Sequence, residues 1–245
     1  MKNLAVIVGA TGGIGTVLSK RLKASGWSLV LGGRNKEKLE NLGLELDSPF
    51  LAGDARDPKY INSLFQLGKD SSGEITGAVN LAGSIFLKPI YQTTDEEFLE
   101  TLQQNLFTSF HLVQSSIPEM KKNGGSIVLM SSVAAKLGLA NHESIAAAKA
   151  AVEGLTLASA ASYASYKIRV NAVAPGLVKT PLSSKLTSNE MVAKASTQMH
   201  PLQRLGEPQD IASAIEWLLS PEQTWITGQV LRVDGGLNSL KSNRG

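Results

Sequence analysis

The chain has 245 residues, 42% of them hydrophobic and 18% charged, with a formal net charge of +3. That balance is typical of a soluble globular protein, at a length that buries well over half of the unfolded surface. There is no cysteine, which excludes disulfides and thiolate metal sites and favours a reducing, cytoplasmic setting, and no metal site is expected. The lysines and arginines are scattered singly, which argues against a nucleic-acid partner but is compatible with an anionic small ligand.

The first apolar run, Leu4 to Val8, is too short for a signal peptide and breaks into glycines, and no later run is long enough to span a membrane. Residues 4–8 read as a strand that ends in VGATGGIG. This places Gly9, Thr11, Gly13, Ile14 and Gly15 at a turn into a helix over 13–25. Glycines there permit positive φ and let the backbone approach a pyrophosphate, while the helix N-terminus offers free N–H groups to it. A strand before the turn and a helix after it are the context that a dinucleotide-binding reading requires.

A second strand over 28–31 leads to Gly33 and Arg34. Where an NAD site would place an acid for the ribose 2′-hydroxyl, this chain has glycine. The neighbouring arginine fork suits a 2′-phosphate, so NADP(H) is favoured over NAD(H). A helix over 36–46, a strand over 49–52 followed by Asp54 and Ala55, and a helix over 58–68 come next. A strand over 75–79 then runs into Asn80, Leu81, Ala82 and Gly83, and a long helix over 95–121 carries Asn105. The fifth strand, 126–130, precedes Ser132, a helix follows over 144–165, and a strand over 168–173 precedes Pro175, Gly176 and Thr180.

An irregular stretch, 177–207, broken by Pro181 and Pro201, is long enough to be a substrate-binding element. A helix over 208–219 and a strand over 229–233 follow, and the polar tail, 238–245, is expected to fray. Alternation of helices with continuously apolar strands predicts an α/β fold. We expect one domain over 1–245, a doubly wound parallel sheet of about seven strands with helices on both faces.

The spacing Gly-x-x-x-Gly-x-Gly, the Asn80-Leu81-Ala82-Gly83 turn, Asn105, the IVLMSSV strand end and the Pro175-Gly176 motif resemble the short-chain dehydrogenase/reductase family. Within it, the chain is similar to members of the 3-oxoacyl-[acyl-carrier-protein] reductase kind, over residues 3–236. Leu81 departs from the family's second asparagine in that turn. The resemblance implies a Rossmann fold, hydride transfer with a nicotinamide cofactor, and a homodimer or homotetramer built on the two long helices and the last strand.

It also implies roles for single residues. Ser132 would hydrogen-bond a substrate carbonyl, Asn105 would serve structure and proton relay, and Lys149 would bind the nicotinamide ribose. Gly9, Thr11, Gly13, Ile14, Gly15, Arg34, Asp54, Ala55, Asn80, Ala82, Gly83, Pro175, Gly176 and Thr180 would surround the cofactor, with Asp54 on the adenine.

The family's acid is a tyrosine four residues before the lysine. YASYK offers Tyr163 and Lys167 at that spacing, but the pair stands 31 residues after Ser132 where the family has about 13, and it immediately precedes a strand. Counting from Ser132 assigns the lysine to Lys149 and the tyrosine position to Ile145, which has no proton to give. Ser144, His142 and a water reaching Lys149 past Asn105 are candidate substitutes, and Glu143 reads as a first-turn acid complementing the helix dipole. Two expectations follow: a reductase acting on a carbonyl or conjugated enone without the tyrosine, or a cofactor-binding, catalytically silent subunit.

Overall fold

Seven short aliphatic runs form the strands of one parallel sheet in the computed structural model, which describes residues 3–71 and 73–241. They are β1 (Asn3–Val8), β2 (Ser28–Gly33), β3 (Phe50–Ala52), β4 (Glu74–Asn80), β5 (Gly125–Met130), β6 (Ile168–Pro175) and β7 (Val230–Val233). Their order is β3-β2-β1-β4-β5-β6-β7, so the chain reverses its direction of travel across the sheet between β1 and β4. In open sheets of this kind, ligands bind beyond the carboxyl ends of the strands at that switch point.

Side chains alternate across the sheet, and both faces are covered. Leu4, Val6 and Val8 of β1 pack on the side of α3 (Pro58–Lys69), α5 (Thr108–Met120) and α6 (Glu143–Tyr163). Ala5 and Ile7 face α1 (Gly13–Ala24), α2 (Lys36–Glu45) and α9 (Pro208–Leu219). Such two-sided burial explains why the strands read as unbroken apolar runs. Local chemistry sets the helix starts: the side chains of Asn35 and Asp57 accept the Lys38 and Lys59 amides, and Thr94 and Glu97 form a capping box that opens α4 (Asp95–Leu102).

Three sequence expectations need correction. The long helix expected over 95–121 is α4 and α5 joined by a π-helical turn, Gln103–Phe107, centred on Asn105. The stretch 177–207 is not irregular throughout, since it folds α7 (Ser184–Thr187) and α8 (Glu190–Met199), the latter capped by Asn189 accepting the Val192 amide at 3.2 Å. Nor is the tail frayed at its start: the Gly236 and Asn238 amides both donate to the Asp234 carboxylate at 2.9 Å. Residues 242–245 of that tail lie outside the described residues.

Candidate active site

Gly9 makes the turn out of β1 at φ +84°, and a Cβ there would come within 2.9 Å of the Ala82 amide and the Leu81 carbonyl carbon. Gly15 packs so closely beneath it that a Cβ would strike the Gly9 carbonyl. The cap of α1 is Gly12, with no side-chain hydrogen bond, and no acid stands in the first turn. The first-turn amides therefore face an open cleft, an anion site made from backbone alone.

From this cradle the cleft runs two ways. One chamber, about 380 Å³, is lined by Thr11, Gly33, Arg34, Asp54 and Ala55. The other, about 220 Å³, is lined by Gly13, Ile14, Gly15, Asn105, Ser132, Ile145, Lys149, Pro175, Gly176 and Thr180. Gly9, Gly12, Ala82 and Gly83 belong to both, so the two chambers make one long groove crossing the switch point. Its length, glycine floor and cationic end fit a dinucleotide.

At the first end, Arg34 shares the wall with Lys38, a second cation that sequence reasoning missed. The only signal was its position one helical turn after Arg34. Gly33 donates its amide to the Tyr60 hydroxyl at 2.9 Å, and that hydroxyl donates to the Leu51 carbonyl at 2.8 Å, with burial pushing the phenol up to about 12. Asp54 lines this end, but Arg56 grips it through Nε at 2.9 Å and Nη2 at 2.6 Å, which holds its carboxyl below the usual range.

Asn80 departs from the expected cofactor contact. It is 1% exposed, and its amide donates to Thr108 Oγ1 at 3.0 Å and Ser109 Oγ at 2.9 Å while its oxygen accepts the Ala82 amide at 3.1 Å. It shapes the 81–83 turn from behind and does not line the groove.

At the second end, Lys149 is buried, and its Nζ donates to the Met130 carbonyl at 2.8 Å. Burial alone pulls its pKa down to about 8. Asn105, fully buried, spends its side chain on the Thr101 carbonyl, Ser84 Oγ and the Ser84 amide, at 3.0, 3.0 and 3.2 Å. These bonds anchor the π-helical turn to the 83–84 loop. Ser132 accepts the Ala134 amide at 3.2 Å, which leaves its own proton free to donate. Its neighbour Ser131 donates to Glu153 on α6 at 2.9 Å, a brace for the strand end that no motif announced.

Ile145 is 4% exposed and stands one helical turn before Lys149, at the same end of the groove. Ser144 is buried and lines neither chamber, whereas Glu143 is exposed in the first turn of α6. Tyr163 ends α6, and Lys167 takes φ +58° and accepts the Gly125 amide at the opposite end of β5 from Ser132. A six-residue strand separates them, roughly 20 Å, so YASYK is remote from the groove. Among the described residues no cluster of acids and histidines could hold a metal, and no helix is long and apolar enough to cross a membrane.

Comparison with known proteins agrees with this geometry. A family model described as enoyl-(acyl carrier protein) reductase matches residues 9–238. Carbonyl reductase family member 4 of Danio rerio is 35% identical over 98% of this chain and 100% of its own. The 3-oxoacyl-[acyl-carrier-protein] reductase FabG of Thermotoga maritima is 33% identical, covering 96% of this chain and 97% of its own. The solved structure of ElxO with NADP bound superposes with a TM-score of 0.91 at 28% identity, over 98% of this chain and 100% of that one.

Proposed function

This chain belongs to the short-chain dehydrogenase/reductase family of oxidoreductases, and from that premise we propose that it is an NADP(H)-dependent reductase of a carbonyl or conjugated enone that works without a tyrosine acid. When bound, the reduced nicotinamide supplies a hydride. The first-turn amides of α1 would hold the pyrophosphate, Arg34 and Lys38 the 2′-phosphate, and Lys149 the nicotinamide ribose. ElxO with NADP bound supports the same cofactor class for a protein of this shape.

One observation carries the chemical reading: Ser132, a free hydroxyl donor, and Lys149 share the end of the groove with Ile145. Ser132 hydrogen-bonds a substrate oxygen, and Ile145 replaces the proton donor with hydrocarbon. Absence of a positioned acid costs about two to four orders of magnitude where the step needs one. Ketone reduction makes a basic alkoxide and needs it. Reduction at the β-carbon of an enone leaves a delocalised enolate that a hydrogen-bond donor can stabilise, with water protonating carbon. The reading therefore favours enones and readily reduced carbonyls over plain ketones.

A panel of ketones, alcohols and enones with NADPH and NADH tests this. The expected result is NADPH consumption, faster with enones than with matched saturated ketones. Tight NADPH binding with no turnover on any compound would replace this reading with a silent, cofactor-binding subunit.

A further inference from the structure

Tyr60 stands in the first turn of α3, where the Asp57 cap accepts the Lys59 amide at 2.9 Å and Pro58 fixes the entry of the chain. Its ring fills space left by two glycines. A Cβ at Gly53 would strike the ring, and one at Gly32 would lie 2.9 Å from the hydroxyl. The residue is 8% exposed, yet it borders the first chamber beside Arg34, Asn35 and Lys38.

The hydroxyl ties the carboxyl ends of β2 and β3 together. It accepts the Gly33 amide at 2.9 Å and donates to the Leu51 carbonyl at 2.8 Å. The Gly33 carbonyl accepts the Gly53 amide at 3.0 Å, so both peptide groups of Gly33 are pinned immediately before Arg34. The Asn35 side chain then accepts the Lys38 amide at 2.9 Å, which ties the second cation to the same stretch. Neither Arg34 nor Lys38 is taken by a carboxylate ion pair among the described residues.

The charged lining of this chamber is Arg34, Lys38 and Arg56 against Asp54 alone, so an anion entering it meets a positive field. Burial pushes the Tyr60 phenol up to about 12, so at neutral pH the group holding the end of β2 adds no negative charge. Phosphate oxygens accept hydrogen bonds, and the one proton of Tyr60 is already given to Leu51. Tyr60 therefore acts on a phosphate through the residues it holds.

Resting on the reading of this groove as an NADP(H) site, we propose that Tyr60 is a positioning residue for cofactor choice. Its hydroxyl fixes the Gly33–Arg34 backbone so that the guanidinium meets a 2′-phosphate. Removing the hydroxyl lowers affinity for 2′-phosphorylated adenosine and leaves the unphosphorylated form nearly untouched. A clamp that only stabilised the sheet would act on both forms alike.

The test uses the cofactor-free protein and two probes for this end of the groove, adenosine 2′,5′-bisphosphate and 5′-AMP. Calorimetry compares the wild-type protein, Tyr60→Phe, Arg34→Ala and the double variant. Phenylalanine keeps the ring that fills the space over Gly53. Tyr60→Phe should weaken the bisphosphate by roughly three- to tenfold, the worth of one hydrogen bond, and 5′-AMP by less than about twofold. Added to Arg34→Ala, it should cost the bisphosphate less than about twofold, because the group it positions is gone. By linkage the coupling also runs in reverse, so in the wild-type protein the bisphosphate should slow exchange of the Gly33 amide more than 5′-AMP does.

Equal losses of both probes in Tyr60→Phe would overturn the proposal, as would an undiminished loss on top of Arg34→Ala. Equal slowing of Gly33 exchange by the two probes would overturn it without recourse to any variant. A wild-type preference for the bisphosphate that survives Tyr60→Phe would sink the proposal and leave the NADP(H) reading standing. No preference for the bisphosphate in the wild-type protein would end that reading and the proposal with it.

Discussion

Replacing Ile145 with tyrosine asks whether a single hydroxyl separates this groove from an efficient ketone reductase. Ile145 is 4% exposed and borders both the nicotinamide end and an adjoining apolar cavity, so a larger side chain there has space on two sides. Overpacking a closed core costs about 1–3 kcal/mol, and the adjoining cavities should keep Ile145→Tyr near the lower figure. The phenol would stand one turn before Lys149, whose charged form would favour the phenolate and lower the phenol's pKa. A positioned acid is worth about two to four orders of magnitude, so kcat/KM for a plain ketone should rise by at least about a hundredfold. Enone reduction should gain much less, because its proton goes to carbon from water.

Ile145→Phe is the control, since it adds the ring without the hydroxyl. Both variants and the wild-type protein are compared by NADPH consumption with a ketone and an enone, after NADPH affinity is shown to be unchanged. If the tyrosine and phenylalanine variants reduce the ketone equally well, the proton is not what the site lacks, and the assignment of Ile145 fails.

Other expectations follow from the same groove. Lys149 has its pKa pulled by burial from 10.5 to about 8, so between those pH values the unfolded chain keeps a proton that the folded one has shed. Stability should therefore rise with pH through that window. Lys149→Met should flatten the rise and, at neutral pH, stabilise the cofactor-free protein by about 1–3 kcal/mol while weakening cofactor binding. A lower melting temperature for Lys149→Met would refute this. Arg34→Ala and Lys38→Ala should each weaken NADPH by about tenfold and leave NADH nearly unchanged, whereas equal losses for both cofactors would remove the 2′-phosphate site. Phe107, Phe110 and Leu157 are 41%, 48% and 64% exposed on the long helices, so a homodimer or homotetramer is expected, and Phe110→Glu should shift it towards monomer. Sedimentation of the wild-type chain as a monomer at micromolar concentration would defeat that expectation.

The sheet was legible because its information is local. Each strand is an apolar run ended by glycine, proline or a polar turn, and the predicted limits fall within about two residues of the structure. The glycine cradle was legible for the same reason, since positive φ at Gly9 and the contact of Gly15 with the Gly9 carbonyl admit no Cβ. What escaped depends on partners distant in sequence. The π-helical turn is held by Asn105 reaching Ser84, 21 residues away, and no periodicity in 95–121 encodes that bond. Asn80 matched a motif, yet Thr108 and Ser109 claim its side chain. In 177–207 the two prolines suggested disorder of pattern, while the Asn189 cap and the helix formers after it went unread.

The two lysines show how far counting can go and where geometry takes over. Spacing from Ser132 chose Lys149 over Lys167, and the two stand at opposite ends of β5. Lys167 sits at the amino end of β5, the wrong edge of a parallel sheet for ligand binding, while Lys149 rises beside the carboxyl end of the same strand. Spacing could not say what surrounds Ile145. The groove keeps a donor at Ser132 and a buried amine at Lys149, and His142, whose Nε2 has no protein partner among the described residues, stands one turn ahead of Ile145. Burying Lys149 with only the Met130 carbonyl as partner works against the stability of the fold, the kind of local cost that a functional site tolerates. A silent subunit that only held the cofactor would account for Lys149, but it would have no use for a hydroxyl donor at Ser132 facing an apolar cavity. A substrate oxygen is the partner that would give the free donor at Ser132 a use beside Ile145.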